Sequence, residues 1–174
     1  MQGLIQIYTG EGKGKTTAAI GLAIRFAGNG GTVLFTQFLK DSSSSELAVL
    51  SQLEQVTVFP SPRHFGFSFQ MTPEQKKLAT KHYTEYLNSI ISMSQSGSFG
   101  LLILDEILVA DHLHFIPHET LVDFLQRKPA NLEVVLTGRS PEPDVLALAD
   151  YVSDIHCVKH PYQKGIPARK GIEM

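Results

Sequence analysis

The feature that most constrains this chain is a glycine-rich loop close to its start. Residues 9–17 read TGEGKGKTT, between an apolar run at residues 4–8 and an alanine-rich segment at residues 16–26. Backbone amides in such a turn, together with the positive end of the following helix, bind phosphate oxygens. The common spacing G-x-x-x-x-G-K-[ST] would place its first glycine at Thr9, whereas the glycine here is Gly10. The loop therefore predicts phosphate binding with one residue fewer than usual.

The side chains of the loop have separate predicted roles. Lys15 brings a positive charge to the phosphates and is the candidate catalytic residue, Lys13 adds a second cation, and the Thr16 hydroxyl can bind Mg²⁺. Glycines let the backbone approach a ligand without Cβ clashes. A glycine turn without a ligand is the alternative, but it does not explain two lysines. The predicted nucleotide-binding residues are Gly10, Glu11, Gly12, Lys13, Gly14, Lys15, Thr16, Thr17 and Arg139.

A pair of carboxylates follows a second apolar run. Asp105 and Glu106 come directly after residues 101–104, whose sequence LLIL predicts a buried strand. In an open α/β sheet, the carboxyl ends of the strands deliver side chains to the crevice where ligands bind. An acidic pair is a weak signal alone, but beside the loop it predicts a Mg²⁺ site, with Mn²⁺ as a substitute. The predicted metal ligands are Thr16, Asp105 and Glu106.

Other polar side chains leave alternatives open. Arg139 follows a predicted strand at residues 132–137 and can meet the phosphates, although a surface arginine fits the spacing equally well. His112, His114 and His118 are close in sequence. They lack both the helical spacing of metal ligands and a supporting cysteine, so a metal site there is not favoured.

The order of the predicted elements indicates an α/β fold. A strand at 4–8, a helix at 16–26 and a strand at 32–38 form a right-handed βαβ unit, and hence part of a parallel sheet. Further strands are predicted at 56–59, 101–106, 132–137 and 151–158, and further helices at about 46–54 and 144–149. Polar residues 40–45 are expected to form a solvated connecting loop, with a mobile lid as the less favoured alternative, and the stretch 60–71 is expected to be an irregular loop. Residues 1–174 are interpreted as a single domain.

A longer helix is expected after Thr72. Thr72 and Gln75 form a capping box, and Pro73 occupies the first helical position. Its apolar face is predicted to carry Leu78, Tyr83, Leu87, Ile90 and Ile91.

Composition excludes several classes of function. The net charge of -2 gives no field that would draw nucleic acid or a membrane surface, and no apolar run is long enough to span a bilayer. Cys157 is the only cysteine, so a disulfide framework is excluded. We therefore expect a cytoplasmic enzyme that binds neither nucleic acid nor membrane.

Taken together, these blocks resemble the P-loop class of ATP:corrinoid adenosyltransferases, also called cob(I)alamin adenosyltransferases. The similar blocks are IYTGEGKGKTTAAIGLAIR, VLFTQFLK, LLILDEI, VVLTGR and VKHP…GIPARKGIE, in the family's order. The short form TGxGKGKTT is itself typical of that family. The resemblance implies a RecA-like P-loop NTPase fold, with a mostly parallel central sheet between helices on both faces, and a homodimer.

The resemblance also implies a reaction. Co(I) of a reduced corrinoid attacks the 5′ carbon of ATP and triphosphate leaves, in adenosylcobalamin biosynthesis or salvage. An electron donor such as a flavoprotein would supply the reduced corrinoid, and Glu106 would be the direct metal ligand. The alternatives are a phosphotransferase or ATPase on the same scaffold, or a nucleotide-binding regulatory module.

Three phenylalanines alternate in the stretch HFGFSF, at Phe65, Phe67 and Phe69. Physical reasoning alone favours core packing over contact with a large apolar ligand. The resemblance reverses this for Phe67 and Phe69, which it implies to be catalytic aromatics that push away the lower axial base of the corrinoid. It leaves the corrinoid pocket either more open than in longer members or closed by the tail from residue 159 onward.

Overall fold

The computed structural model describes residues 2–40, 44–61, 63, 65, 66 and 68–173. The strands of this part are β1 (Ile5–Thr9), β2 (Val33–Gln37), β3 (Val56–Pro60), β4 (Leu101–Asp105), β5 (Glu133–Thr137) and β6 (Tyr151–Asp154). Its α-helices are α1 (Lys15–Gly28), α2 (Ser45–Leu50), α3 (Pro73–Ser94), α4 (Ile107–His112), α5 (His118–Arg127) and α6 (Pro143–Ala147). Short 3₁₀ turns cover Ser68–Gln70 and Pro161–Lys164. Residues 41–43 of the expected polar loop, and Pro62, His64 and Phe67 of the next loop, lie outside the described residues.

The strands form one sheet in the order β3-β2-β4-β5-β1-β6, and every neighbouring pair is parallel. Because all strands run the same way, their carboxyl ends lie at one edge of the sheet. The glycine loop after β1, the lysine after β2 and the carboxylates at the end of β4 therefore meet at that edge. The predicted α/β class is confirmed.

Alternating strand residues feed two cores, one on each face of the sheet. Leu34, Leu102 and Val134 point into the larger core, which α3, α4 and α5 cover. Val33, Ile103 and Val135 point the other way, toward the small residues of α1. Strands β2 and β4 are buried along their whole length, as parallel strands between two helix layers must be. Helices thus pack on both faces, as the family resemblance implies.

Helix α3 begins as predicted. Thr72 accepts a hydrogen bond from the Gln75 amide at 3.2 Å, and the Gln75 side chain accepts one from the Thr72 amide at 2.8 Å. The buried face includes Tyr83, Leu87 and Ile90. Leu78 is 43% exposed, so its assignment to that face is wrong, and Ala79 occupies the buried position instead.

Some predicted boundaries are also wrong. The strand expected at 151–158 ends at Asp154, because the chain then turns over the glycine loop, where the Ile155 carbonyl accepts a hydrogen bond from the Gly12 amide at 2.6 Å. All four residues of β6 are exposed at this edge of the sheet. Helices α4 and α5 follow β4 where no helix is predicted. No helix within the described ranges is long and apolar enough to cross a membrane.

Candidate functional site

The glycine loop is built against the end of the chain's last strand. The Gly12 amide donates to the Ile155 carbonyl at 2.6 Å. A Cβ at Gly12 would lie 2.6 Å from that oxygen, and one at Gly10 would lie 2.5 Å from it. These two glycines are therefore needed for packing against the segment after β6, in addition to the approach to phosphate that the sequence predicts. Gly14 has open space and a φ of 129°, so it supplies the turn that starts α1.

Lys15 lies at the centre of this loop. Its side chain is buried, and its Nζ donates to the carbonyl oxygens of Gly10 at 2.6 Å and Gly12 at 2.9 Å. Burial lowers the pKa of the Lys15 ammonium, and the positive charge of Arg139 lowers it further. The loop carbonyls thus hold this ammonium in place.

Thr16 and Asp105 come together from opposite parts of the sequence. The Thr16 hydroxyl donates to Asp105 Oδ1 at 2.9 Å, and the Thr137 hydroxyl donates to the same oxygen at 2.6 Å. Thr137 in turn accepts from the Glu106 amide at 2.9 Å. The Asp105 side chain is fully buried. The first turn of α1 and the carboxyl ends of β4 and β5 therefore each contribute to a fixed set of oxygen atoms.

Lys40 joins this set, although the sequence analysis gave it no role. Its Nζ lies 2.8 Å from Asp105 Oδ2 and 3.1 Å from Thr16 Oγ1, so a cation occupies the point between the two oxygens. The preceding Leu39 has a φ of 57°, which turns the chain back toward the site. The sequence could have pointed to Lys40 only through its position, because it follows an apolar strand that ends at the same sheet edge as Asp105.

Glu106 takes the left-handed conformation, with a φ of 61°, between β4 and α4. Its side chain lines the same cavity as the loop. Burial raises the pKa of the Glu106 carboxyl, and the negative charge of Asp105 adds to that rise. A cation in this cavity would therefore be favoured, because it would offset two neighbouring carboxylates.

A cavity of about 1140 Å³ opens over the loop. It exceeds the usual range for a small-ligand pocket, so it has room for a nucleotide and part of a second substrate. Arg139 lines it, and its guanidinium lies 3.3 Å from the Glu11 carboxylate. The tail also contributes, through His160 and residues 171–173. The structure thus brings together all the predicted loop residues from Glu11 to Thr17, Glu106 and Arg139, while Gly10 and Asp105 lie behind them.

The three phenylalanines have different environments. Phe65 packs against Tyr83, with ring centroids 5.8 Å apart, and against His82 at 5.4 Å, so core packing is confirmed for this residue. Phe69 is 79% exposed, so core packing is wrong for it. Phe67 lies outside the described residues.

Two of the three clustered histidines contact carboxylates. His118 places Nδ1 3.0 Å from Asp111 and Nε2 2.7 Å from Asp144, and His112 lies 3.3 Å from Glu142. The hydrogen bond to Asp144 raises the pKa of His118 to about 9, against the effect of burial. Among the described residues no group of three or more His, Cys, Asp or Glu side chains is arranged to hold a metal ion. This cluster lies apart from the loop, beside a second cavity of about 580 Å³.

A parallel sheet with a phosphate-binding loop after β1 and a carboxylate at the end of β4 defines a P-loop nucleotide-binding protein. Two solved structures share this architecture. The flagellar accessory protein FlaH from Methanocaldococcus jannaschii aligns with a TM-score of 0.57 at 15% identity, over 88% of this chain and 71% of that one. EssC (ATPases 2 and 3) from Geobacillus thermodenitrificans aligns with a TM-score of 0.52 at 15% identity, over 97% of this chain and 35% of that one. At these identities the likeness establishes the fold alone.

The sequence gives the narrower assignment. The sequence model of the family described as "ATP:corrinoid adenosyltransferase BtuR/CobO/CobP" matches residues 1–174. Corrinoid adenosyltransferases from Escherichia coli (strain K12) and Salmonella typhimurium are 33% and 30% identical, each over 99% of this chain and 86% of theirs. The corrinoid adenosyltransferase from Pseudomonas aeruginosa is 28% identical over 99% of this chain and 84% of its own length. The chain belongs to the ATP:corrinoid adenosyltransferase family, which confirms the resemblance and, with it, ATP-dependent adenosyl transfer to a corrinoid.

Proposed function

We propose that the cavity over the loop is where the 5′-deoxyadenosyl group passes from ATP to Co(I) of a corrinoid. A cobalt–carbon bond forms, the bond between C5′ and its oxygen breaks, and the electron pair of that bond leaves with the triphosphate. The observation that carries the proposal is the convergence of Lys15 and Thr16 at one wall of the cavity, with the Asp105 carboxylate held behind Thr16. The Lys15 ammonium and a divalent cation held by Thr16 and Asp105 would stabilise negative charge, which is what a departing triphosphate requires.

The proposed roles follow from the contacts. Lys15, Lys13 and the loop amides hold the triphosphate, and Arg139, which lines the same cavity, meets it from the end of β5. No proton is transferred, because Co(I) is itself the nucleophile, so the site needs no general base. Its task is to place C5′ in line with cobalt and to receive the charge of the leaving group.

The residues present fit a magnesium ion. The Thr16 hydroxyl and the carboxylates of Asp105 and Glu106 are the oxygen donors that Mg²⁺ prefers, and Mn²⁺ accepts the same donors. Support comes from the Lys40 ammonium, which lies between Thr16 and Asp105. We propose that these three residues hold the metal, with Glu106 as the direct ligand. When bound, the metal neutralises charge on the triphosphate oxygens.

The corrinoid is proposed to lie beside the loop after β3. Phe69 exposes a large apolar ring there, as expected of a side chain that meets an apolar ligand. We assign Phe67 and Phe69 to the displacement of the lower axial base, which makes Co(II) easier to reduce. The tail, which lines the cavity over the loop through residues 171–173, is the proposed cover.

Several finer assignments are part of the same proposal. A single domain over residues 1–174 is supported by the continuous sheet, and a homodimer by the exposed edge strand β6. A flavoprotein is the proposed electron donor. A cytoplasmic enzyme without a nucleic-acid or membrane partner is supported by the net charge of -2 and the lone Cys157.

One assay tests the reaction against the phosphotransferase or ATPase alternative. The protein is incubated with Mg-ATP and chemically reduced cobalamin, and the phosphate product and corrinoid spectrum are recorded. Intact triphosphate with a light-sensitive alkylcobalamin is expected. Release of ADP and phosphate would refute the proposal, and a parallel incubation without corrinoid measures any ATP hydrolysis that does not depend on the corrinoid.

A further inference from the structure

Lys40 holds a position that a metal ion would take. Its ammonium lies 2.8 Å from Asp105 Oδ2 and 3.1 Å from Thr16 Oγ1, and both of these residues are proposed metal ligands. Lys15, the lysine of the loop itself, instead bonds to the carbonyls of Gly10 and Gly12. The structure therefore places one cation at the phosphate loop and another between the oxygens of the proposed metal site.

The buried Asp105 explains why a cation is needed there. Burying a carboxylate away from water costs free energy unless an opposite charge and hydrogen bonds compensate for the lost hydration. Lys40 supplies the charge, and Gln37 donates a weaker bond to the same oxygen at 3.2 Å. The Lys40 side chain is 29% exposed and also lines the cavity, so the ammonium can leave Asp105 without crossing the core.

Two cations cannot share this position. Like charges a few ångströms apart repel strongly at the low effective dielectric of a partly buried site. A divalent ion that enters between Thr16 and Asp105 must therefore displace the Lys40 ammonium. The displaced side chain lies at the wall of the cavity that receives the triphosphate.

We propose that Lys40 is an internal counterion, exchanged for the divalent metal that arrives with the nucleotide. This inference rests on the metal site proposed above. In the free enzyme Lys40 keeps Asp105 neutralised and resists loading by free metal. In the complex, metal takes its place, and Lys40 moves to the triphosphate as a third cation beside Lys13 and Lys15.

The test measures Mn²⁺ binding by electron paramagnetic resonance, without and with ATP. Lys40→Met removes the charge while keeping an unbranched side chain, and Lys40→Gln keeps a polar donor beside Asp105. Lys81→Met is the matched control, because Lys81 is an exposed lysine of α3 that pairs only loosely with Glu85 at 3.9 Å. Without ATP, we expect both Lys40 variants to bind free Mn²⁺ at least about tenfold more tightly than the wild type and the control.

Two further measurements complete the test. Adding Asp105→Asn to Lys40→Met should abolish the gain, because the carboxylate that attracts the metal is gone. With ATP present, the Lys40 variants should bind the Mn-ATP complex more weakly than the control, since the triphosphate loses a cation. Unchanged binding of free Mn²⁺ in both folded Lys40 variants, as judged by thermal unfolding, would overturn the inference. Failure of the wild type to bind Mn²⁺ even with ATP would instead refute the metal site itself.

Discussion

The Gly12 amide donates to the Ile155 carbonyl at 2.6 Å, so the segment that follows the last strand forms one wall of the phosphate-binding loop. A Cβ at Gly12 would lie 2.6 Å from that oxygen and 2.8 Å from the His156 carbonyl oxygen. Both neighbours are backbone atoms, which cannot rotate away as a side chain can. The loop conformation thus depends on a contact that the loop sequence does not reveal.

We therefore expect Gly12→Ala to lower the free energy of unfolding by about 2 kcal/mol and to weaken ATP binding. The matched control is Gly21→Ala in α1, where a Cβ meets open space and no positive φ is required. That change should raise stability by about 0.5–1 kcal/mol. Urea denaturation measures both, and equal stability of the two variants would contradict the steric argument.

Lys15→Ala should remove the positive charge that stabilises the departing triphosphate. We expect kcat/KM to fall by about 10²–10³ or more, as for loss of a preorganised charge-stabilising group. The free energy of unfolding should change by only about 1 kcal/mol, because Lys15 makes two hydrogen bonds to loop carbonyls. Triphosphate release measures the first effect and thermal unfolding the second, with Lys81→Ala as the control. Near-wild-type turnover would exclude the proposed role.

His118 should make stability depend on pH. Its pKa is raised to about 9 by the Asp144 hydrogen bond and, against the effect of burial, by Asp111, compared with about 6.5 unfolded. A raised histidine pKa adds stability that is complete below pH 6.5 and is lost as pH rises through 9.

His118→Gln should therefore cost about 1 kcal/mol at pH 6, a figure discounted because the imidazole is partly exposed to solvent. The difference in free energy of unfolding between the wild type and this variant should disappear as the pH rises from about 6.5 to about 9.5. Denaturant titrations at several pH values measure it. A gap that stays constant over this range would show that His118 contributes by packing alone.

The two phenylalanines flanking Phe67 should separate stability from catalysis. Phe69→Ala should leave the free energy of unfolding within about 0.5 kcal/mol, because the ring is 79% exposed. It should impair use of Co(II) substrate more than use of chemically reduced Co(I), and Phe67→Ala should do the same. Phe65→Ala, the control, should cost about 1–3 kcal/mol, since Phe65 packs against Tyr83. Equal loss with both cobalt states would point to binding rather than reduction.

Sequence patterns predicted the sheet because every buried strand is a short apolar run that stops at a polar residue. The carboxyl ends of β1 and β4 were identified in this way, and the pairing of Thr16 with Asp105 follows from parallel strand direction. Helix α4 was missed because it has only six residues and begins after Glu106 in a left-handed conformation. A left-handed backbone conformation at a residue other than glycine has no signature in the sequence.

The site residues that were missed share a different cause. Lys40 follows a strand, as many solvated lysines do, and only the position of its ammonium beside Asp105 distinguishes it. The contact of Gly12 with Ile155 joins opposite ends of the chain, and no local pattern reports it. Contacts between distant segments are decided by topology rather than by the sequence near either residue.

The place of β1 between β5 and β6 has a consequence for how the enzyme is made. Strand β1 pairs only with β5 and β6, which lie in the last third of the given sequence. A nascent chain that ends before β5 leaves both edges of β1 unpaired, and one that ends before β6 lacks the wall against Gly12. Since non-local pairings close late, nucleotide would reach an ordered loop only after β6 and the segment that follows it have emerged. ATP binding would therefore report completion of folding, and early β1 would need protection from wrong strand partners during synthesis.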